Sequence, residues 1–143
     1  MSDFSEVLTE LEQLESELEA IRVVMDEGVE TYTGSRTARE SALRHLDGAM
    51  RHLVDSAWGL IEETDWDEPE DNLDAIEILA EEDVIPGPLA VTLTHLAEYA
   101  SEHGEEAGWD AEIDESYERL GEAADSIAVY LEDVHEFLKQ WET

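Results

Sequence analysis

Apolar residues near the start of the chain recur with the spacing of an amphipathic helix. The stripe alternates steps of four and three residues: Val7, Leu11, Leu14, Leu18, Ile21 and Met25. This spacing predicts a helix with Ser5 as its N-cap and Gly28 at its end. Most positions between the stripe residues are glutamate, so the narrow stripe is expected to pack on another helix, most simply one of the same chain.

A second long helix is predicted over residues 37–63, after Gly34 and Ser35 reset the chain. Its apolar face is wider than the first stripe and rich in alanine. Such a face is typical of a helix at the centre of a bundle, where neighbours approach on two sides.

Two shorter helices and one further long helix are predicted in the rest of the chain. They cover residues 73–79, 89–103 and 113–141. The acidic segment 64–72 contains Pro69 and is predicted to be a loop. No segment alternates in the way of a strand. We therefore predict an all-α antiparallel bundle of about five helices, three long and two short, in a single domain over residues 1–143.

The charge balance is extreme. The chain of 143 residues has 40 acidic and 7 basic side chains, a net charge of −33. The acidic residues are spread along the whole chain, and Lys139 is the single lysine. This pattern favours adaptation to a high-salt cytosol, where the screening length falls to about 3 Å near 1 M salt. A nucleic-acid mimic is the alternative. Neither suits binding of duplex DNA, which needs a basic patch.

Several function classes are excluded by composition. The absence of cysteine excludes a disulfide framework, a thiolate zinc site and a cysteine nucleophile. The apolar runs are far shorter than the ~20 residues that span a bilayer. The first residues lack the features of a signal peptide. We expect a cytoplasmic protein that does not associate with membranes.

Histidine and arginine are the remaining candidates for chemistry. His45 and His52 lie seven residues apart on the second long helix. The i, i+4 spacing of a helical zinc pair is missing, so we predict no metal site and no cofactor. Instead, the histidines are expected to pair with acidic neighbours.

Five of the six arginines precede residue 52. In a chain this poor in cations, they are predicted to anchor carboxylates of other helices or of a second subunit. A basic strip directed at phosphates is the alternative, with Arg39 and Arg44 as its candidate residues.

The order of elements resembles the HepT-like toxins of the HEPN superfamily, which are paired with minimal nucleotidyltransferases. The resemblance covers about residues 6–139 and is most specific at LAEEDVIPGPLA, residues 79–90. It rests on these segments: 8–25, 43–62, 75–86, 89–99 and 113–114.

The resemblance implies a helical core that usually dimerises, with a metal-independent RNase site at the dimer interface. In active members an arginine is followed, after four to six residues, by a histidine and often by a tyrosine two residues later. The arginine and histidine would bind and polarise the phosphate for attack by the ribose 2′-hydroxyl. In some members the partner enzyme adenylylates the tyrosine.

This chain departs from the family pattern at that motif. Tyr99 falls on the aromatic position before the motif arginine, so Ala100 and Ser101 occupy the arginine and asparagine positions. His103 comes too early, and Glu105 sits two residues after it, where a tyrosine would be expected. An arginine and histidine with suitable spacing, Arg39 and His45, lie on the second long helix, outside the motif position.

We therefore predict a catalytically reduced HepT-like protein of a toxin–antitoxin system that acts as a homodimeric partner of a nucleotidyltransferase-like antitoxin. Pairing is expected from the resemblance, and because the first and last helices offer more apolar surface than one bundle covers. One alternative is an active, metal-independent RNase that uses His103 as catalytic residue, with Arg39 or Arg44 binding RNA. Another is a non-enzymatic acidic scaffold or nucleic-acid mimic that binds a basic protein.

The net charge leads to a prediction about folding. Mutual repulsion of 33 excess negative charges opposes the compact state, and salt screens it. We expect the midpoint of thermal unfolding, followed by circular dichroism, to rise steeply between roughly 0.1 and 2 M KCl. A constant midpoint over this range would contradict salt adaptation and favour the mimic.

Overall fold

All regular secondary structure in the described part of the chain is helical. A computed structural model describes the backbone of residues 3–103 and 113–142 and the side chains of residues 3–101 and 114–141. Over these residues there is no strand, which confirms the all-α prediction. No helix in this part is long and apolar enough to cross a membrane. The helices are α1 (Ser5–Asp26), α2 (Val29–Gly34), α3 (Arg36–Thr64), α4 (Asn72–Glu81), α5 (Gly87–His103) and α6 (Ile113–Glu142).

The start of α1 differs from the prediction. Ser5 is the first helical residue rather than the N-cap, and Phe4, which precedes it, makes no side-chain capping bond. Instead, the backbone N–H of Ser5 donates to Asp3 Oδ1 at 3.0 Å. A carboxylate satisfies a free N–H at a helix start and also interacts favourably with the helix dipole. Gly28 ends the helix as predicted, with a φ of +96° that a residue with a Cβ adopts only under strain.

The short helix α2 was not predicted. It fills the segment between Gly28 and Ser35, and Gly34, expected as a break, is its last residue. Tyr32 is the one buried residue of this helix. Because a single buried position shows no repeat, the sequence contains no apolar period that would predict α2. Ser35 then caps α3 by accepting a hydrogen bond from the backbone N–H of Ala38 at 3.1 Å.

The central position predicted for the second long helix is confirmed. That helix, α3, packs against each of the other described helices. The stripe of α1 is buried on this bundle from Val7 to Ile21. In α6 the apolar stripe from Leu120 to Leu138 is likewise buried within the chain, although Val129 in the same stretch is 42% exposed. Exposed apolar side chains nevertheless remain on both helices, Leu8 and Val23 on α1 and Val129 and Trp141 on α6, so pairing with a second copy stays a prediction.

Two hydroxyl groups meet in the core where α6 contacts α3. Tyr130 and Ser56 are both fully buried, and their oxygens lie 2.6 Å apart. Ser56 donates to the carbonyl of Leu53 at 2.6 Å, so the proton of Tyr130 lies between Ser56 Oγ and, at 3.3 Å, the same carbonyl. Because buried hydroxyls need partners, this pair fixes the register of α6 on α3. Burial raises the pKa of Tyr130.

This hydroxyl pair gives a stability prediction. Tyr130→Phe and Ser56→Ala should each lower the free energy of unfolding by about 1–3 kcal/mol, because each leaves a buried hydroxyl short of a partner. The double variant should cost less than the sum of the two, by about 1 kcal/mol. Urea unfolding in molar KCl measures all four proteins. Strictly additive costs would show that the two hydroxyls do not depend on each other.

Candidate functional site

The last turn of α5 carries the positions where the resemblance implies a catalytic arginine. Ala100 is only 2% exposed, so this position faces the interior of the bundle. Ser101 is exposed and lines a groove beside α5. An arginine at position 100 would have to place its side chain in the core. This chain therefore differs from the motif in the packing around position 100 as well as in the residue there.

His103, the predicted catalytic residue, is the last residue of α5. Its side chain and Glu105 lie outside the described residues. The role of His103 therefore stays a prediction.

The groove beside α5 has a volume of 690 Å³. The charged groups that line it are three carboxylates and one guanidinium. The guanidinium, that of Arg51, forms an ion pair with Asp47 at 3.0 Å on the same helix. The described lining therefore has a net negative charge, which disfavours a phosphodiester. It is formed by Asp47, Met50, Arg51, Val54 and Asp55 of α3, Asn72 and Leu73 of α4, and Ala97, Glu98 and Ser101 of α5.

A tyrosine cluster, made of Tyr32, Tyr99 and Tyr117, holds the end of α5 and the start of α6 against α2. The hydroxyls of Tyr32 and Ser116 lie 2.5 Å apart, and the rings of Tyr32 and Tyr117 lie 5.1 Å apart at an angle of 56°. The pKa of Tyr99 is raised to about 12, mainly by burial and also by the charge of Glu115 and by Tyr32, against an opposing effect of Arg119. The cluster thus fixes the backbone on both sides of the connection between α5 and α6.

Arg39, a predicted phosphate-binding residue, lies next to the tyrosine cluster. Its Nη1 donates to the carbonyl oxygens of Tyr32 at 3.2 Å and Thr33 at 2.7 Å. These carbonyls belong to the last turn of α2, where backbone oxygens lack helical partners. Nε of Arg39 is buried and has no hydrogen-bond partner among the described residues. Arg39 therefore supports α2 directly, a role that the sequence did not reveal.

Arg44, the second predicted phosphate-binding residue, is exposed. It lies five residues after Arg39, which places it about 140° around the helix. The structure therefore directs these two arginines to different faces of α3 and does not combine them in one site.

Other arginines pair within their own helices. Arg36 contacts Glu40 at 3.0 Å, and Arg119 contacts Glu122 at 3.1 Å. The carboxylate partners seen for Arg36, Arg51 and Arg119 thus lie on their own helices, and anchoring of other helices or of a second subunit stays a prediction. These exposed pairs stabilise the fold only slightly, since such helical pairs contribute about 0.3–0.5 kcal/mol each.

Two histidine–glutamate pairs connect α1 and α3. His52 Nδ1 lies 2.7 Å from Glu10 Oε2, and His45 Nδ1 lies 3.0 Å from Glu17 Oε2. The predicted pairing of these histidines with acidic neighbours is confirmed. Burial raises the pKa of Asp55, which the charge of Glu10 raises further and that of His52 opposes.

Comparison with known proteins gives a match at the level of fold. No family model matches the sequence, and no curated protein matches it. A chain of a toxin–antitoxin crystal structure with AMP-PNP superimposes with a TM-score of 0.80 at 15% identity, over 91% of this chain and 97% of the other.

Two further solved structures agree. A tri-AMPylated HEPN toxin of Shewanella oneidensis in complex with an MNT antitoxin gives a TM-score of 0.78 at 15% identity, over 95% of this chain and 99% of the other. YutE, a cytosolic protein of unknown function from Bacillus subtilis, gives 0.80 at 17% identity, over 97% and 92% of the respective chains. The chain therefore has the fold of the HEPN toxins.

The tyrosine environments predict how stability depends on alkaline pH. Tyr99 and Tyr130 have raised pKa values in the folded chain, so the neutral phenols are favoured there over the ionised ones. Their contribution is complete below the unfolded pKa of about 10 and is lost as the pH rises above it. We expect the free energy of unfolding to fall between about pH 10 and 12.

Urea titrations at a series of pH values in molar KCl, with tyrosinate absorbance as a second signal, measure this fall. Tyr99→Phe should reduce the slope. A free energy of unfolding that is constant up to about pH 12 would contradict burial of these phenols.

Proposed function

We propose that this chain is a catalytically reduced HepT-like protein of a toxin–antitoxin system, working in a high-salt cytosol. In this proposal residues 1–143 form one domain that pairs with a second copy and binds a minimal nucleotidyltransferase. The fold supports the proposal, because structures of the same fold include a HEPN toxin in complex with an MNT antitoxin. The observation that carries it is the burial of Ala100, at 2% exposure, at the position of the motif arginine.

The argument for reduced catalysis is electrostatic. Cleavage of RNA by the 2′-hydroxyl adds negative charge to the phosphate in the transition state, and catalysis needs a fixed donor to stabilise it. Loss of one such donor lowers the rate by about 10²–10³-fold. The end of α5 supplies Ala100 and Ser101 in place of the arginine and its neighbour, and Glu98 lines the groove beside them. This environment repels the phosphate instead of holding it.

Binding of a partner protein does not need that donor. An interface is stabilised by burial of apolar surface and by charge complementarity. The exposed face of the chain is strongly acidic, so a nucleotidyltransferase with a basic surface would associate with it quickly. The chain would then bind an antitoxin as a toxin does, without cleaving RNA.

An active RNase with a rearranged site is the second candidate, favoured by one observation. Arg39 donates to the carbonyl of Tyr32 at 3.2 Å, and Tyr32 lies close enough to Tyr99, at the end of α5, to add to the increase in pKa that burial and Glu115 cause there. A cation is therefore close to the last turns of α5, although α3 supplies it. In this candidate His103 acts on the 2′-hydroxyl, and Arg39, or Arg44 of a second copy, binds the phosphate.

Incubation of the purified chain with total RNA in molar KCl tests the proposal. We expect no cleavage above the level of a His103→Ala variant, because the phosphate lacks its fixed donor. Arg39→Ala should also leave the RNA unchanged, and circular dichroism must show that it remains folded, since Arg39 supports α2.

Matched controls make the result decisive. His135→Ala removes an exposed histidine on α6, and Arg36→Ala removes an exposed arginine three residues before Arg39. RNA cleavage that persists in these two variants but disappears in His103→Ala and Arg39→Ala would replace the proposal with the active RNase.

A further inference from the structure

Three potential metal ligands meet between α1 and α3. Glu10 lies on α1, and His52 and Asp55 lie one turn apart on α3. One ligand atom from each, two carboxylate oxygens and an imidazole nitrogen, lie within 4.8 Å of one another. We propose that this Glu10–His52–Asp55 cluster binds a divalent transition-metal ion of the Zn²⁺ type. The inference does not depend on the proposed function.

The ligand chemistry fits such an ion. Zn²⁺ takes imidazole nitrogen and carboxylate oxygen at about 2.0–2.2 Å, with water at the remaining positions. Tetrahedral ligand atoms at this distance lie about 3.3 Å apart. Glu10 Oε2 and His52 Nδ1 are already 2.7 Å apart, and Asp55 is exposed. The three ligand atoms, all within 4.8 Å of one another, are thus already near the separation that a bound ion requires.

The charge of the cluster favours a cation. Two carboxylates face one histidine, and the side chains of His52 and Glu10 are only 31% and 30% exposed. Partial burial weakens the screening that water gives to the repulsion between Glu10 and Asp55. A divalent ion bound between them would neutralise both carboxylates at once.

The second histidine–glutamate pair provides an internal comparison. Glu17 and His45 repeat the geometry of Glu10 and His52 seven residues away on each helix. Gly48, however, occupies the position that corresponds to Asp55. A Cβ at Gly48 would lie 2.9 Å from Glu17 Oε2. The Glu17 carboxylate therefore fills the space that the side chain of a third ligand at position 48 would need. Both pairs join a histidine of α3 to a glutamate of α1, but only the first has a third ligand, Asp55. Only the first pair should therefore bind the ion.

Zinc binding by the full-length chain tests the inference. Isothermal titration calorimetry with Zn²⁺ measures the binding. Molar KCl and excess Mg²⁺ in the buffer suppress diffuse binding of Zn²⁺ to the acidic surface. We expect one site per chain. Asp55→Asn and His52→Ala should each lower the affinity by at least about tenfold, since even outer-shell changes cost 10–100-fold. His45→Ala should bind Zn²⁺ as the wild type does.

Two further measurements separate a ligand role from a structural one. Zn²⁺ should raise the unfolding midpoint of the wild type and of His45→Ala, but not of Asp55→Asn, in which an exposed side chain keeps its shape. In NMR spectra, Zn²⁺ should shift the ring signals of His52 and leave those of His45 unchanged. Equal binding by the wild type and Asp55→Asn, equal loss in His45→Ala, or displacement of Zn²⁺ by Mg²⁺ would each overturn the inference.

Discussion

The central position of α3 among the other described helices is the constraint on which the rest of the structure depends. This helix contacts α1, α2, α4, α5 and α6, and its apolar positions from Ala42 to Ile61 form the middle of the core. Hydrophobic burial of this kind is the main stabilising contribution to the fold. The groove, the histidine–glutamate pairs and the tyrosine cluster are each placed by a residue of α3 or by a helix packed on it. Changes to its buried face would therefore alter the groove, the histidine pairs and the tyrosine cluster together.

The shortage of cations shapes what this bundle can do. Arg36, Arg51 and Arg119 pair with carboxylates of their own helices, and Arg39 satisfies the end of α2. The described lining of the groove is left with a net negative charge. A fold shared with HEPN toxins is thus combined with a surface that disfavours phosphates. This combination is the physical basis for proposing a role in binding instead of RNA cleavage.

The sequence predicted the fold well wherever an apolar period was long. The second and last long helices were predicted within a residue or so of α3 and α6, because their buried positions repeat over many turns. The helix α2 was missed, since Tyr32 alone is buried there. At Ser5 the prediction was wrong because the helix begins one residue earlier than predicted: the N–H of Leu8 donates to the carbonyl of Phe4, and the N–H of Ser5 donates to Asp3 Oδ1.

The candidate sites were less predictable, because they join residues from different helices. Pairing of His45 and His52 with acidic neighbours followed from composition. The third potential ligand could not be found in the spacing of α3, since Glu10 comes from α1 and joins only when the helices pack. The contact of Arg39 with α2 was hidden for a related reason, because no apolar period predicted α2.

The most direct test of the central claim is a mass measurement in molar KCl by light scattering. The chain is measured alone and after addition of a minimal nucleotidyltransferase. We predict a homodimer of about 32 kDa, twice the chain mass of 16.1 kDa, and a heavier complex once the partner is added. A monomer at all concentrations, whose mass the nucleotidyltransferase leaves unchanged, would contradict the account.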